Sequence, residues 1–333
     1  MIIYFAIIII TVVVLLAYIL NTSLEKKTVY KNLHQKHVVI TGGSSGIGKA
    51  AAIEAAKLGA HVSIIGRNVD NLKSTVSEII TQCLDKNAQK IQYVSLDVTS
   101  DYDTIAKCLS TLENDIAPIF MLVNCAGMCI CGKFEEMKVE DIKQMIDLNY
   151  FGTAYSTKYV LPGMKKRNEG VIVFVASEAA FIGIYGYSAY SAAKWALRGL
   201  AEAIQMELVG TAVRLTVSFP PDTDTPGLKN EELTKPKETK LISGTGGLHS
   251  PQEIGKKLIH DAMVGKVYSV YSMSGRLLSI LFGASVESTT QVLIQVFSMG
   301  LLRAVMVNFI MTFNKIVKDG FTEKHKKEEN KNK

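Results

Sequence analysis

The chain has 333 residues, enough for one large domain with appendages, and its 37 Lys and Arg against 31 Asp and Glu give a formal charge of +6. That charge is spread along the chain, which excludes a concentrated nucleic-acid-binding stripe and fits solvation with attraction to anionic lipid headgroups. Hydrophobic residues make up 48 % and mean hydropathy is +0.19, more apolar than a soluble enzyme needs.

Part of the excess stands at the start. Residues 1–20 contain the uncharged run IIYFAIIIITVVVLLAYIL, Ile2 to Leu20, which at about 1.5 Å per residue reaches across a hydrocarbon core and predicts a transmembrane anchor. A cleaved signal peptide is the alternative. No basic segment precedes the run, however, it exceeds the usual ~7–15 apolar residues, and no small-residue cleavage site follows. Lys26, Lys27 and Lys31 come after it, so the basic-side rule places the following domain in the cytosol. The five cysteines, Cys83, Cys108, Cys125, Cys129 and Cys131, are odd in number and lack zinc-ligand spacing, which fits a reducing compartment and predicts no metal.

After a polar linker over 21–35, residues 36–272 alternate apolar strand-like runs with helical patterns. Strands are predicted at His37–Thr41, Ala60–Gly66, Ile91–Asp97, Ile119–Asn124, Val171–Ser177, Val213–Phe219 and Val267–Tyr271, with helices beginning near Gly46, Val69, Asp101, Lys138 and Ser188. This βαβ rhythm predicts an α/β fold, a doubly wound parallel sheet of Rossmann-like type.

The first strand runs into TGGSSGIGKA, where Gly42, Gly46 and Gly48 fall at the turn from strand to helix. Glycines there permit a tight turn, close approach of a pyrophosphate, and a helix N-terminus whose N–H groups face it. The strand, the turn and the helix together predict a dinucleotide site. At the end of the second strand, where an NAD site places an acidic residue for the ribose 2′-hydroxyl, stand Gly66, Arg67 and Asn68. A guanidinium suits a 2′-phosphate, so NADPH is the expected cofactor. Asp97 and Val98, at the end of the third strand, are positioned for the adenine edge.

Further on, YGYSAYSAAKWALRG contains three tyrosines, and of these Tyr190 has a lysine, Lys194, one helical turn ahead. An ammonium beside a phenol favours the phenolate and would lower its pKa, making Tyr190 a usable acid toward an alkoxide. With these residues in view the chain resembles the short-chain dehydrogenase/reductase family over about Lys36 to Tyr271. Thr41 to Gly48 is similar to its TGxxxGxG loop, Asn124-Cys125-Ala126-Gly127 to its NNAG strand end, and Tyr190 to Lys194 to its YxxxK. Ser177, thirteen residues before Tyr190, and Asn149 in IDLNYFG match its serine and asparagine.

The resemblance implies a catalytic tetrad of Asn149, Ser177, Tyr190 and Lys194. It also implies cofactor contacts from Gly42, Ser44, Ser45, Gly46, Ile47, Gly48, Arg67, Asp97, Val98, Asn124, Ala126, Gly127, Tyr190, Lys194, Pro220, Thr223 and Thr225. Tyr190 would protonate the alkoxide, Ser177 orient the carbonyl, Lys194 hold the nicotinamide ribose, and Asn149 support a proton-supplying water. Tyr187 is expected to shape the substrate pocket. Two departures stand out. Pro220-Pro221 replaces the usual Pro-Gly and lacks an N–H, and Cys125 replaces an asparagine, leaving one sheet hydrogen bond in question.

The N-terminal anchor, MLVNCAGM, AYSAAK, PPDTDTPG and an apolar C-terminal region resemble the branch of the family that reduces long-chain sphingoid ketones at the endoplasmic reticulum membrane. Membrane lipids and a sphingoid ketone are then the expected partners, with no nucleic acid; a homo-oligomer stays open. A membrane-anchored steroid or retinoid oxidoreductase is the alternative, and a non-catalytic scaffold is opposed by the intact tetrad. Glu178, leaving the strand after Ser177, is a candidate for the substrate amine, against an ordinary solvent-facing carboxylate. Thr225–Ser250 reads as a mobile flap or a plain surface loop. In the hydrophobic region 273–318, Arg303 interrupts Val292–Phe313. That leaves an in-plane or re-entrant segment, a span with Arg303 buried against protein, or a core or dimer-interface helix. The charged tail 319–333 is predicted to be disordered.

Overall fold

The computed structural model describes residues 2–23, 29–283 and 288–331. Lys26 and Lys27, two of the three residues behind the expected orientation, lie outside the described residues. Seven parallel strands form one sheet: β1 (His37–Thr41), β2 (His61–Gly66), β3 (Ile91–Ser95), β4 (Ile119–Asn124), β5 (Gly170–Val175), β6 (Val213–Phe219) and β7 (Tyr268–Val270). Their order is β3-β2-β1-β4-β5-β6-β7. Winding reverses between β1 and β4, so the connections leaving their carboxyl ends diverge and open a crevice there. Central strands such as Val38-Val39-Ile40 are buried on both faces, which is why they read as unbroken apolar runs.

The described residues include twelve α-helices. These are α1 (Ile2–Ser23), α2 (Gly46–Lys57), α3 (Val69–Thr81), α4 (Tyr102–Asp115), α5 (Val139–Ile146), α6 (Gly152–Arg167), α7 (Ser188–Glu207), α8 (Pro226–Glu232), α9 (Lys237–Ser243), α10 (Pro251–Met263), α11 (Met273–Phe282) and α12 (Thr289–Lys331). One face of the sheet is covered by α2, α3 and α10, through Ala55, Leu72 and Leu258 among others. The other is covered by α4, α6 and α7, through Leu109, Val160 and Leu197. Small residues let α2 and α10 approach closely: a Cβ on Gly255 would lie 2.6 Å from the Ala51 nitrogen.

Strand ends differ from the expected bounds by one or two residues, with β3 stopping at Ser95 and β5 at Val175, so Asp97 and Ser177 stand on connections rather than in the ladder. The flap is ordered into α8 and α9 followed by a 3₁₀ turn at Gly244–Gly246. Thr225 caps α8, accepting from Leu228 N at 3.2 Å, with Pro226 at its first position. The two ends of the flap are laced together by Asp224 N to His249 O and His249 N to Asp222 O, each 2.9 Å.

At the C-terminus, Leu278 of α11 and Met306 of α12 join the second core. Beyond that contact α12 meets α1 and α9, but its apolar stretch is otherwise largely exposed. Only 6 % of its most apolar stretch is buried, which removes the core-helix reading, and Arg303 is exposed, not buried against protein. The expected disordered tail is instead a continuation of α12 to Lys331. Lys and Glu are strong helix formers, and Glu323 is held by Lys237 of α9 at 2.8 Å.

Candidate active site

The crevice above β1 and β4 is a cavity of about 380 Å³. At one end is the loop from β1 into α2. Gly42 and Gly46 have φ of +66° and +53°. A Cβ on Gly42 would come 2.8 Å from Ala126 backbone atoms, and one on Gly48 2.4 Å from the Gly42 carbonyl oxygen. Both spaces admit glycine alone. Ser45 precedes α2 without a side-chain cap, leaving the first amides of the helix for a ligand at the cavity wall formed by Gly46, Ile47 and Gly48. Across the loop, Thr41 Oγ1 accepts from Cys125 N at 3.1 Å and Ala126 N at 3.2 Å. This hydroxyl fastens β1 to the end of β4, where the family's asparagine is Cys125. Burial pushes the Cys125 thiol up to about 12, so it sits there as a small neutral group.

Along the wall, Ser44, Ser45, Arg67, Asp97, Val98, Ala126, Gly127, Pro220, Thr223 and Thr225 all line the cavity. Arg67 is 3.6 Å from Asp97. The Asp97 carboxyl lies below its usual range: burial raises it, but hydrogen bonds from Thr99 and the Arg67 charge outweigh that. Thr223 donates to Pro221 O at 2.8 Å, while Thr225 keeps its hydroxyl hydrogen for another acceptor. Asn124 is the exception among the expected cofactor residues. It is buried behind the wall, donating to Thr157 Oγ1 at 3.2 Å, because the strand alternation at the end of β4 turns it away from the crevice.

The four tetrad residues line the same cavity. Asn149 is set by a π-helical turn, Asp147–Phe151, the kind of one-residue insertion that re-aims a side chain at functional sites. Its amide donates to Met128 O and Met145 O, both at 2.9 Å, so one hydrogen holds the loop after β4 and the other the end of α5. Gly127 lies between this side chain and Lys194: a Cβ there would be 2.8 Å from Asn149 Oδ1 and 3.4 Å from Lys194 Nζ. Ser177 Oγ accepts from Ala179 N at 3.2 Å, which orients the oxygen and leaves its hydrogen to donate. Ser177 is close enough to the Tyr190 phenol to favour its ionised form, though burial outweighs this. Lys194 Nζ donates to Val175 O at 2.9 Å and lies 5.6 Å from the centre of the Tyr190 ring.

The electrostatics depart from expectation. Tyr190 is held well above its ordinary value, first by burial and then by neighbouring negative charge, including Glu231 and Asp222. Burial also pulls Lys194 down to about 8. One ammonium cannot offset the desolvation of a phenolate in this pocket, so the free site holds a fully protonated phenol.

The flap brings residues that the motifs did not announce. Tyr187 OH donates to Glu231, and Lys235 Nζ, its side chain fully buried, lies 2.8 Å from Glu231, 2.8 Å from Glu232 and 3.5 Å from Asp222. Burial alone would lower Lys235, but the Glu231 and Glu232 carboxylates hold it above its ordinary value. A glutamate near the end of α8 and a lysine four residues on, just past it, were the available signal. Glu178 is neither solvent-facing nor free: its carboxylate accepts from Ser272 and from Ser274, at 3.0 Å for the latter, at the start of α11. Cys129 Sγ, Cys131 Sγ and a Glu231 oxygen lie within 4.8 Å of one another, a grouping hidden in the cysteine spacing. Glu231 is already engaged by Tyr187 and Lys235.

A doubly wound sheet with a glycine loop at its switch point, and a serine, tyrosine and lysine converging beyond it, defines an oxidoreductase that uses a nicotinamide dinucleotide. The chain belongs to the short-chain dehydrogenase family, whose model matches residues 36–236. It is similar to a 3-dehydrosphinganine reductase of Danio rerio, 42 % identical with 92 % of each chain covered. It is likewise similar to a 3-ketodihydrosphingosine reductase of Mus musculus, 41 % identical with 95 % of each covered. Among solved structures, an alcohol dehydrogenase from Thermococcus sibiricus complexed with 5-hydroxy-NADP matches with a TM-score of 0.60 and 25 % identity, covering 71 % of this chain and 96 % of that one. Levodione reductase shares the fold, with a TM-score of 0.65 at 20 % identity over 72 % and 95 %.

Proposed function

We propose that this chain reduces 3-ketodihydrosphingosine to dihydrosphingosine with NADPH, on the cytosolic face of the endoplasmic reticulum membrane. The observation that carries the reading is the cavity itself: Ser177, Tyr190 and Lys194 meet at one end and the glycine loop with Arg67 stands at the other. The near full-length likeness to sphingoid reductases supports the substrate. Turnover of 3-ketodihydrosphingosine, steroid ketones and retinals side by side with NADPH tests it. Preferred reduction of a steroid or retinal would replace the substrate assignment.

The glycine loop and the first turn of α2 would hold the pyrophosphate, and Lys194 the nicotinamide ribose. A bound nicotinamide supplies the hydride that the carbonyl carbon receives. Negative charge then grows on the carbonyl oxygen, where Ser177 donates a hydrogen bond and Tyr190 passes on its phenolic proton. Lys194, as an ammonium, makes that transfer easier by favouring the phenolate left behind. Asn149 acts as a positioning residue by fixing the Met128 loop.

Arg67 is the proposed reader of the 2′-phosphate. Replacing Gly66 by Asp together with Arg67→Ala is expected to shift preference toward NADH, because a carboxylate repels the phosphate and accepts from a free hydroxyl. The ratio of kcat/KM for the two cofactors measures it. An unchanged ratio would assign the phosphate to another basic residue.

At the membrane, α1 is the proposed anchor; it is an uncharged helix of 22 residues that packs against α12. Thr289–Lys324 is itself long and apolar enough to cross a membrane. Side chains such as Phe297, Leu301 and Met311 are exposed along it, which suits lipid contact in the plane of the bilayer or across it. The catalytic domain is then expected to be digested by protease added to intact microsomes. Glycosylation of a sequon engineered near Gly66 would place it in the lumen instead.

A further inference from the structure

We propose that Glu231 is the group that reads the ammonium of the substrate, and that Lys235 is the residue that positions it. This rests on the amino-ketone reading above. In a 2-amino-3-ketone the nitrogen is on the carbon next to the carbonyl, so its reader must neighbour the hydroxyl that meets the carbonyl oxygen. Glu231 does so. It lines the cavity with Tyr190 and Ser177 and accepts from Tyr187, whose ring packs 5.5 Å from that of Tyr190. Its charge is among those that act on the Tyr190 phenol.

Glu178, the candidate from the sequence, is occupied differently. Both of its oxygens are taken by Ser272 and Ser274, and it packs over the start of α11, where a Cβ on Gly275 would lie 2.8 Å from Glu178 Oε1. It braces the end of β5 against the C-terminal region.

The charge around Glu231 leaves room for a further cation. Lys235, its own side chain fully buried, is shared by Asp222, Glu231 and Glu232, and Lys240 also meets Glu232 at 3.1 Å, so three carboxylates stand against two ammoniums. Glu231 is therefore fixed in direction by Lys235 and Tyr187 and remains net attractive to a positive group entering from the cavity. The opposite end carries Arg67 and the start of α2, which favour anions. The cavity is thus polarised, with phosphate at one end and an amine at the other. Apolar Ile184 and Leu228 line the same cavity, suited to the start of an alkyl chain.

The test compares 3-ketodihydrosphingosine with the matching long-chain 3-ketone lacking the amine, in the wild-type protein, Glu231→Gln and Glu231→Asp. A charge-assisted hydrogen bond corresponds to roughly 10- to 100-fold in specificity. The ratio of kcat/KM for the two ketones is expected to favour the amine in the wild type, to fall at least ~10-fold in the Gln variant, and to be largely kept in the Asp variant. A structural role predicts the reverse, since Gln keeps the size and the acceptor offered to Tyr187 and Lys235, whereas Asp shortens the side chain. An equal loss on both ketones in the Gln variant, or a lost preference in Asp with a kept one in Gln, overturns the assignment. A wild-type protein that reduces neither ketone overturns the sphingoid reading instead.

Discussion

Tyr190→Phe is expected to lower ketone reduction by at least ~10²-fold while NADPH still binds, the scale of a positioned general acid. The phenol lines the cavity beside Ser177 and is held protonated by its surroundings, so at neutral pH it has a proton to give. Removing the oxygen keeps the ring and its packing on Tyr187, which confines the loss to the chemical step. Steady-state kcat and a fluorescence titration of NADPH separate the two effects. Near-normal turnover would remove Tyr190 from the reaction.

Lys194→Met is expected to cost a comparable factor in rate and to weaken NADPH binding as well, because on the proposed mechanism one ammonium would serve both the phenol and the ribose. It also has a pH signature. With Lys194 at about 8 and the phenol far above that, the group lost first on the alkaline side is the ammonium. In the wild type kcat/KM for NADPH should therefore fall as pH rises through about 8. Stability moves the other way. A lysine whose folded pKa is depressed below its unfolded value of ~10.4 makes the folded state bind fewer protons in that window, so this residue adds stability as pH rises from about 8 toward the unfolded value. Loss of rate there cannot then be ascribed to unfolding from this group. A Lys194→Met variant with the same alkaline fall as the wild type would assign the titration elsewhere.

The sequence by itself determined the sheet and the chemistry at its edge. Apolar runs such as His37–Thr41 and Ile119–Asn124 can be buried on both sides only in a covered parallel sheet, and Gly42, Gly46 and Gly48 mark a turn that no larger side chain fits. Tyr190 and Lys194 were readable because helical spacing is a local property. Tertiary structure decided what depends on distance along the chain. Asn124 lies behind the cavity because pleat and strand end set its direction, not its motif. Glu178 is taken by Ser272 and Ser274, nearly a hundred residues away, and Lys235 gathers carboxylates from the flap and from Asp222 just before it. The protonation of Tyr190 does not follow from spacing, since the lysine is local but the burial that opposes it comes from the whole fold. The charged tail continues as helix for a related reason: its partner, Lys237, is on the flap.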